Sequence, residues 1–379
     1  MEFFPTFENR IILYLFLAFA GLALIQLLYV LFIQARLAFF KSGKRFDNPQ
    51  HPPVSIIIAA RNESDNLYNN LPLILQQTYP EFEVIVVNHQ SMDDSYHILN
   101  AYKMQYPNLK IVEVERSRHL GVGKKLPLTL GIKAAKHEHL LLTDADCKPA
   151  SNQWLSGMAS CFSEKKQIVL GYGPYREEKG FLNKLIRFDT TYIAMNYFSL
   201  ALSRMPYMAV GRNLGYTQTV FNQVHGFKSH YAVSSGDDDL FIQEAARKRN
   251  YRIQIDPQTY CYSESKKTWK AWVQQKSRHF STTGHYKVMK KALLGIYPLT
   301  LLLLWISFVI LLFDAEYRPF SAAIFGLVLL VKWWVQGKCF AKLQARSFIV
   351  WLPFLDLFYA LLIPTLYYTS EKTTQSKWK

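Results

Sequence analysis

Residues Ile11 to Ile33 run for 23 positions without a charged side chain, and no other feature restricts the chain as much. At 1.5 Å per residue, a helix of that length crosses a bilayer core of about 30 Å. The run is too long for the core of a secretory signal, and no small-residue cleavage site follows it. A second uncharged run, Ala292 to Phe313, has 22 residues, and Phe320–Gly337 and Phe348–Tyr368 are two further candidates. The expected organisation is an amino-terminal anchor at 1–35, a water-facing domain at 46–290, a membrane region with two to three helices at 292–368, and a tail at 369–379.

Charge sets the expected orientation. Arg36, Lys41, Lys44 and Arg45 follow the first run with no acid among them, and Lys287, Lys290 and Lys291 lead into the second. The positive-inside rule then places the amino terminus outside and the middle of the chain in the cytoplasm, as an integral protein of the cell (inner) membrane. Lys332 and Asp356 interrupt the last two candidates, each at a cost of about 2.5–3.5 kcal/mol at a bilayer centre. Trp333 and Trp334 read as an interfacial belt to which Lys332 snorkels. Asp356 is either paired inside a bundle or marks a segment that stops short of crossing.

The net charge of +16 suits an anionic membrane surface or a phosphorylated substrate. No zinc-finger spacing, RNP-like motif or basic heptad region accompanies it, so nucleic acid is not an expected partner. Four cysteines without CxxC spacing point to a reducing compartment.

In the middle of the chain, Val54–Ala60, Glu83–Val87, Lys110–Val114 and His139–Thr143 are short runs mostly rich in β-branched and aliphatic residues. Helical patterns near Asp65–Gln77 and Leu126–Ala135 alternate with them. Unbroken apolar strands alternating with helices imply an α/β domain, doubly wound around a mostly parallel sheet. Ligands of such sheets bind beyond the carboxyl ends of the strands, and the chemically informative residues stand there. Asp144-Ala145-Asp146 offers two carboxylates on one face of an extended chain, a pair that suits one hard cation. Ala59-Ala60-Arg61-Asn62-Glu63 follows the first strand, and Gly121-Val122-Gly123-Lys124-Lys125 is a basic loop. Gly236-Asp237-Asp238-Asp239-Leu240 sets three acids ahead of a helix, where a capping role is the plainer alternative. Gln275-Lys276-Ser277-Arg278-His279 lies on an amphipathic stretch from Trp269. Phe181, Leu185, Phe188, Tyr192 and Met195 share one helix face. That face is either domain core or an interface helix on the membrane.

In this order, the five elements resemble the inverting family-2 glycosyltransferases of GT-A fold over about residues 54–285. The resemblance implies an enzyme that moves a sugar from a UDP- or GDP-type donor, with Mg²⁺ or Mn²⁺ on Asp144 and Asp146. It makes Asp237 the catalytic base, with Asp238 the alternative, and puts Gln275 and Arg278 at the leaving diphosphate. Ala59, Arg61, Glu63, Asn88, Lys124 and Asp144 complete the implied donor site, and Gly211–Tyr216 resembles the segment that shapes an acceptor pocket. Two positions depart from the pattern: Asn88-His89 stands where an acidic pair is usual, and His279 replaces the Trp of QxxRW. The expected acceptor is a lipid or lipid-linked molecule. The alternatives are a processive polysaccharide synthase and a catalytically inactive membrane scaffold.

Overall fold

The computed structural model describes residues 7–41, 51–116, 123–233, 235–247 and 249–369. The chain divides into a unit made of residues up to Phe40 with Lys287–Thr369, and a unit spanning Lys41–Tyr286. The tail from residue 370, Ser42 and the Gly121-Val122 pair lie outside the described residues.

In the first unit, four helices among the described residues are long and apolar enough to cross a membrane: Arg10–Ala38, Val288–Leu311, Arg318–Lys342 and Arg346–Thr369. All three carboxyl-terminal candidates therefore qualify. The snorkelling expected of Lys332 does not occur. Its Nζ lies 2.7 Å from Asp356 Oδ2, with both side chains at most 4% exposed, so Asp356 is paired inside the bundle. Tyr297 donates to the same carboxylate oxygen at 2.7 Å, and Gln336 Nε2 donates to the Tyr297 hydroxyl at 2.7 Å. Lys332 also reaches Gln26 Oε1 at 3.3 Å, while Gln26 Nε2 donates to Thr300 Oγ1 at 2.7 Å. This polar knot draws one or more side chains from each of the four helices, beside an apolar cluster of Phe19, Leu304, Phe325 and Val328. In hydrocarbon, a buried polar group without such partners is costly.

The second unit is built on a seven-stranded sheet. Its strands are β1 (Val54–Ala60), β2 (Phe82–His89), β3 (Leu109–Val114), β4 (His139–Asp144), β6 (Ile168–Leu170), β7 (Leu214–Thr217) and β8 (Tyr251–Ile253), and β5 (Lys148–Pro149) pairs with β9 (Cys261–Tyr262) separately. The order is β3-β2-β1-β4-β7-β6-β8. β1 to β4 are parallel, and β7 is antiparallel to both β4 and β6. Every residue of β1 is buried because both faces are covered. Ile56 and Ile58 belong to a core with Leu67, Leu71 and Trp154. On the other face the helix Lys125–Ala134 packs against Ile57. A side chain in place of Gly131 would put its Cβ 2.7 Å from Ile57 Cγ2, so any other residue there would force the packed strand side chains to shift.

The helix Phe181–Leu202 has its predicted bounds. Leu185, Phe188, Tyr192 and Met195 are all buried, and Phe181 alone of the five is exposed. Four of the five stripe residues are therefore domain core rather than a membrane-facing surface, and Phe181 stays exposed beside Trp269, with ring centroids 6.2 Å apart.

Candidate functional site

The parallel strands end along one edge of the sheet. β1 and β4 pair Ala59 with Asp144, and β1 and β2 pair Ala60 with Asn88, so adjacent strands bring the expected donor and metal residues to that edge. Beyond β1, Asn62 adopts φ 52°. Its Oδ1 accepts from Met92 N at 2.8 Å, and Ser91 Oγ accepts from Asn62 N at 3.0 Å. Asp93 accepts from Ser64 N at 2.9 Å and Ser95 N at 3.1 Å. Burial pushes the Asp93 carboxyl up, but the bonds from Ser95 and Ser64 outweigh it and hold the group below its ordinary range. These bonds join the loops after β1 and β2 into one ledge carrying Arg61 and Glu63. Glu63 Oε2 accepts from Asn66 at 2.5 Å.

Asn88 donates to Glu113 Oε2 on β3 at 2.9 Å, while its buried Oδ1 has no hydrogen-bond partner among the described residues. The acid absent from the end of β2 is thus replaced by an amide leaning on an acid one strand away. Burial raises the Glu113 carboxyl, partly offset by Asn88.

At the end of β4, one ligand atom each from Asp144, Asp146 and Cys147 lie within 4.8 Å of one another. Two carboxylates this close fit a hard divalent cation. Sequence reasoning missed the neighbours that orient Asp146. Ser263 donates to its Oδ2 at 3.2 Å and the Cys147 thiol to its Oδ1 at 3.4 Å. Ser263 follows β9 and lies far away in sequence, and a lone serine carries no pattern.

Lys124 joins the two halves of the site. Its Nζ is 2.5 Å from Asp144 Oδ1 and 3.5 Å from Asp237 Oδ2. Burial works against its charge, but Asp144 and Asp237 more than compensate and raise its pKa. Burial likewise pushes Asp144 up, and Lys124, Arg212 and Arg278 together bring it below its ordinary value. Gly123 has open space where a side chain would stand.

The chain turns into the acidic run at Gly236, φ 98°. The three acids that follow then take different partners. Asp237 faces Lys124. Asp238 accepts from Gly211 N at 2.9 Å and Asp239 N at 2.8 Å. Asp239 accepts from Thr282 Oγ1 at 2.5 Å and the Tyr286 hydroxyl at 2.7 Å. Burial, reinforced by Asp237 and Asp239, pushes Asp238 up to about 7.

The helix Trp269–Thr283 is capped by the Thr268 hydroxyl, which accepts from Ala271 N at 3.3 Å. Gln275 donates to the Tyr175 hydroxyl at 3.1 Å, and the guanidinium of Arg212 lies 4.5 Å from the centre of the Tyr175 ring. Lys276, between Gln275 and Arg278, points elsewhere, into a buried pair with Asp189 at 2.6 Å. The arrangement is an acid pair fit for a cation, a bridging lysine, further buried or half-buried acids and two arginines whose charge is felt at Asp144.

A family model described as "Glycosyltransferase like family 2" matches residues 51–282. The chain is 24% identical over 249 residues to "Probable glycosyltransferase YdaM" of Bacillus subtilis (strain 168), covering 63% of this chain and 57% of that one. It is 33% identical over 100 residues to "Poly-beta-1,6-N-acetyl-D-glucosamine synthase" of Staphylococcus epidermidis, covering 26% and 23%. Over 132 residues it is 30% identical to the Escherichia coli "UDP-Glc:alpha-D-GlcNAc-diphosphoundecaprenol beta-1,3-glucosyltransferase WfaP", covering 34% and 48%. The matched stretches thus span at most 57% of these relatives. Among solved structures, "Mannosyltransferase PcManGT" from Pyrobaculum calidifontis, in complex with GDP-Man and Mn²⁺, shares the fold with a TM-score of 0.54 at 18% identity, covering 92% of this chain and 98% of that one. With more than half of its length matched, and with this sheet order, the chain belongs to the glycosyltransferase-like family 2 with the GT-A fold.

Proposed function

We propose that the protein transfers a sugar, with inversion, from a UDP- or GDP-type donor to a lipid or lipid-linked acceptor at the cytoplasmic face of a membrane. The observation that carries this reading is the single ammonium of Lys124 set between Asp144 and Asp237. It brings a carboxylate suited to the donor's cation and a carboxylate suited to proton removal within reach of one charge.

In the proposed reaction the acceptor hydroxyl oxygen bonds to the anomeric carbon as the bond from that carbon to the diphosphate oxygen breaks. The bonding pair leaves on the diphosphate, and the hydroxyl proton passes to Asp237, or to Asp238 if the register is shifted by one. Arg278, Gln275 and Lys124 would stabilise the negative charge that grows on the leaving diphosphate. Ala59, Arg61, Glu63 and Asn88 would line the nucleoside end of the donor. A Mg²⁺ or Mn²⁺ held by Asp144 and Asp146 would supply positive charge against the diphosphate. PcManGT holds GDP-Man with Mn²⁺, which favours a cation of this type here.

Asp146→Asn is expected to abolish turnover without loss of folded protein, since the carboxylate sits at a strand end outside the apolar core. Full activity in EDTA, or a variant that never accumulates, would count against the metal assignment. The acceptor class is supported by four membrane-length helices, by the positive net charge and by a relative whose name specifies a lipid diphosphate acceptor. Membranes containing the protein, incubated with a panel of UDP- and GDP-sugars and extracted for mass analysis, should yield a glycosylated lipid. Products confined to soluble sugars or to a growing polymer would overturn the lipid acceptor. The orientation predicts that a cysteine placed at Ser42 stays unlabelled by an impermeant reagent added to intact cells.

A further inference from the structure

Asp239 is buried and does not face Lys124, yet its carboxylate is the most heavily hydrogen-bonded of the three consecutive acids. Oδ1 accepts from Leu240 N at 2.7 Å. Oδ2 accepts from Thr282 at 2.5 Å and from Tyr286 at 2.7 Å. The Thr282 hydroxyl also lies 2.8 Å from the carbonyl of His279 in its own helix, and the shorter contact is the one to Asp239. Tyr286 is itself buried and packs edge-on against Tyr207 at 6.2 Å.

The placement of these hydroxyls matters. Thr282 stands four residues beyond Arg278, one turn along the same helix face. A carboxylate anchored there ties the acidic loop to the turn of helix next to the arginine. On its other side the loop is held by Asp238 on Gly211 N. Asp237 immediately precedes the two anchored residues, so both anchors restrict where it stands relative to Lys124, 3.5 Å away.

We propose that Thr282 and Tyr286 are positioning residues that act through Asp239, fixing the acidic loop, and with it Asp237, relative to the helix that carries Arg278. The proposal rests on the transferase reading for its effect on rate, but the latch itself is a property of the fold. Both hydroxyls are buried and turned onto Asp239. Without the Tyr286 hydroxyl the buried Asp239 loses a donor, the loop relaxes, and the base candidate drifts from the in-line position.

The test uses the full-length protein with three variants, Tyr286→Phe, Thr282→Val and Thr282→Ser. Two measurements are made on each: steady-state kinetics with whichever sugar nucleotide the wild type uses, and hydrogen exchange of residues 235–245. A displacement of about 1 Å in a reacting geometry costs up to about 100-fold. Tyr286→Phe and Thr282→Val should therefore lower kcat by about tenfold or more per folded molecule while the donor KM stays nearly constant. Both should speed exchange in the acidic loop, and Thr282→Ser should behave as wild type in both measurements. Because the two hydroxyls share one carboxylate, the Tyr286→Phe/Thr282→Val double variant should be little worse than the poorer single. Unchanged exchange in folded Tyr286→Phe overturns the latch. So does a fall in activity that disappears when corrected for folded protein. If the wild type transfers sugar from no nucleotide, the transferase reading fails, and the exchange data still decide the latch.

Discussion

Replacing Asp237 with Asn is expected to lower sugar transfer by about 10²–10⁴-fold, the usual loss when a positioned general base is removed, while donor binding persists. Asp237 is 8% exposed and lies 3.5 Å from Lys124. A side chain in place of Gly211 would bring its Cβ to 3.4 Å from Asp237 Oδ2, so the glycine leaves room beside the carboxylate. The neighbouring Asp238 differs in a way that can be measured. Both of its oxygens accept backbone N–H groups, and its carboxyl is pushed up to about 7, first by burial and then by Asp237 and Asp239. It therefore gains a proton as pH falls through neutrality. An acid limb near pH 7 in kcat/KM that vanishes in Asp238→Asn, with residual activity above it, would mark Asp238 as a structural acid beside the base. If Asp238→Asn is the silent variant and Asp237→Asn remains active, the base is one residue further on and the inverting mechanism stands.

Those carboxylates were readable in the sequence because their spacing and order are distinctive, whereas their supports were not. Asp144 and Asp146 declare themselves at the end of an apolar strand. The hydroxyls of Ser263, Thr282 and Tyr286 belong to residue types found in any loop or helix, and only folding brings them to Asp146 and Asp239. Asn88 was legible as a departure from the family pattern, but its bond to Glu113 depends on the register of β2 with β3.

The same division holds for the fold. β1 to β4 were visible because strands buried on both faces read as nearly unbroken apolar runs. β6 and β8 have three residues each and β7 has four, including a glycine. Segments so short have no periodicity to detect. The stripe on Phe181–Leu202 shows the opposite limit. Its period identified a helix correctly, but period alone cannot say whether protein or lipid covers an apolar face. The buried Asp189–Lys276 pair is one of several contacts that tie this helix into the domain, with Tyr197 donating to Gly171 O and Asn183 to Ser265.

In the membrane unit, removing one member of the Lys332–Asp356 pair should be among the most destabilising single changes in the chain. The pair lies 2.7 Å apart in a nearly fully buried setting, with Tyr297 donating to the carboxylate and the ammonium 5.0 Å from the centre of the same tyrosine's ring. Asp356→Leu leaves the Lys332 charge without its counter-ion, and Lys332→Met does the same to Asp356. Breaking a buried pair from one side costs about 3–5 kcal/mol, because the remaining charge is stranded. A single hydrogen bond between membrane helices is worth only about 0.6 kcal/mol on average, so Tyr297→Phe should be mild and the loss of charge balance should dominate. The double variant Lys332→Met/Asp356→Leu removes both charges and fills much of the space with apolar atoms, and such replacements are often neutral or stabilising. Thermal unfolding of the detergent-solubilised protein should therefore rank Tyr297→Phe and the double variant near wild type and both single charge variants far below. If the double variant unfolds as readily as the singles, the pair holds the helices through geometry that apolar packing cannot replace. If the singles match wild type, the two charges reach water and the polar knot does not join the four helices.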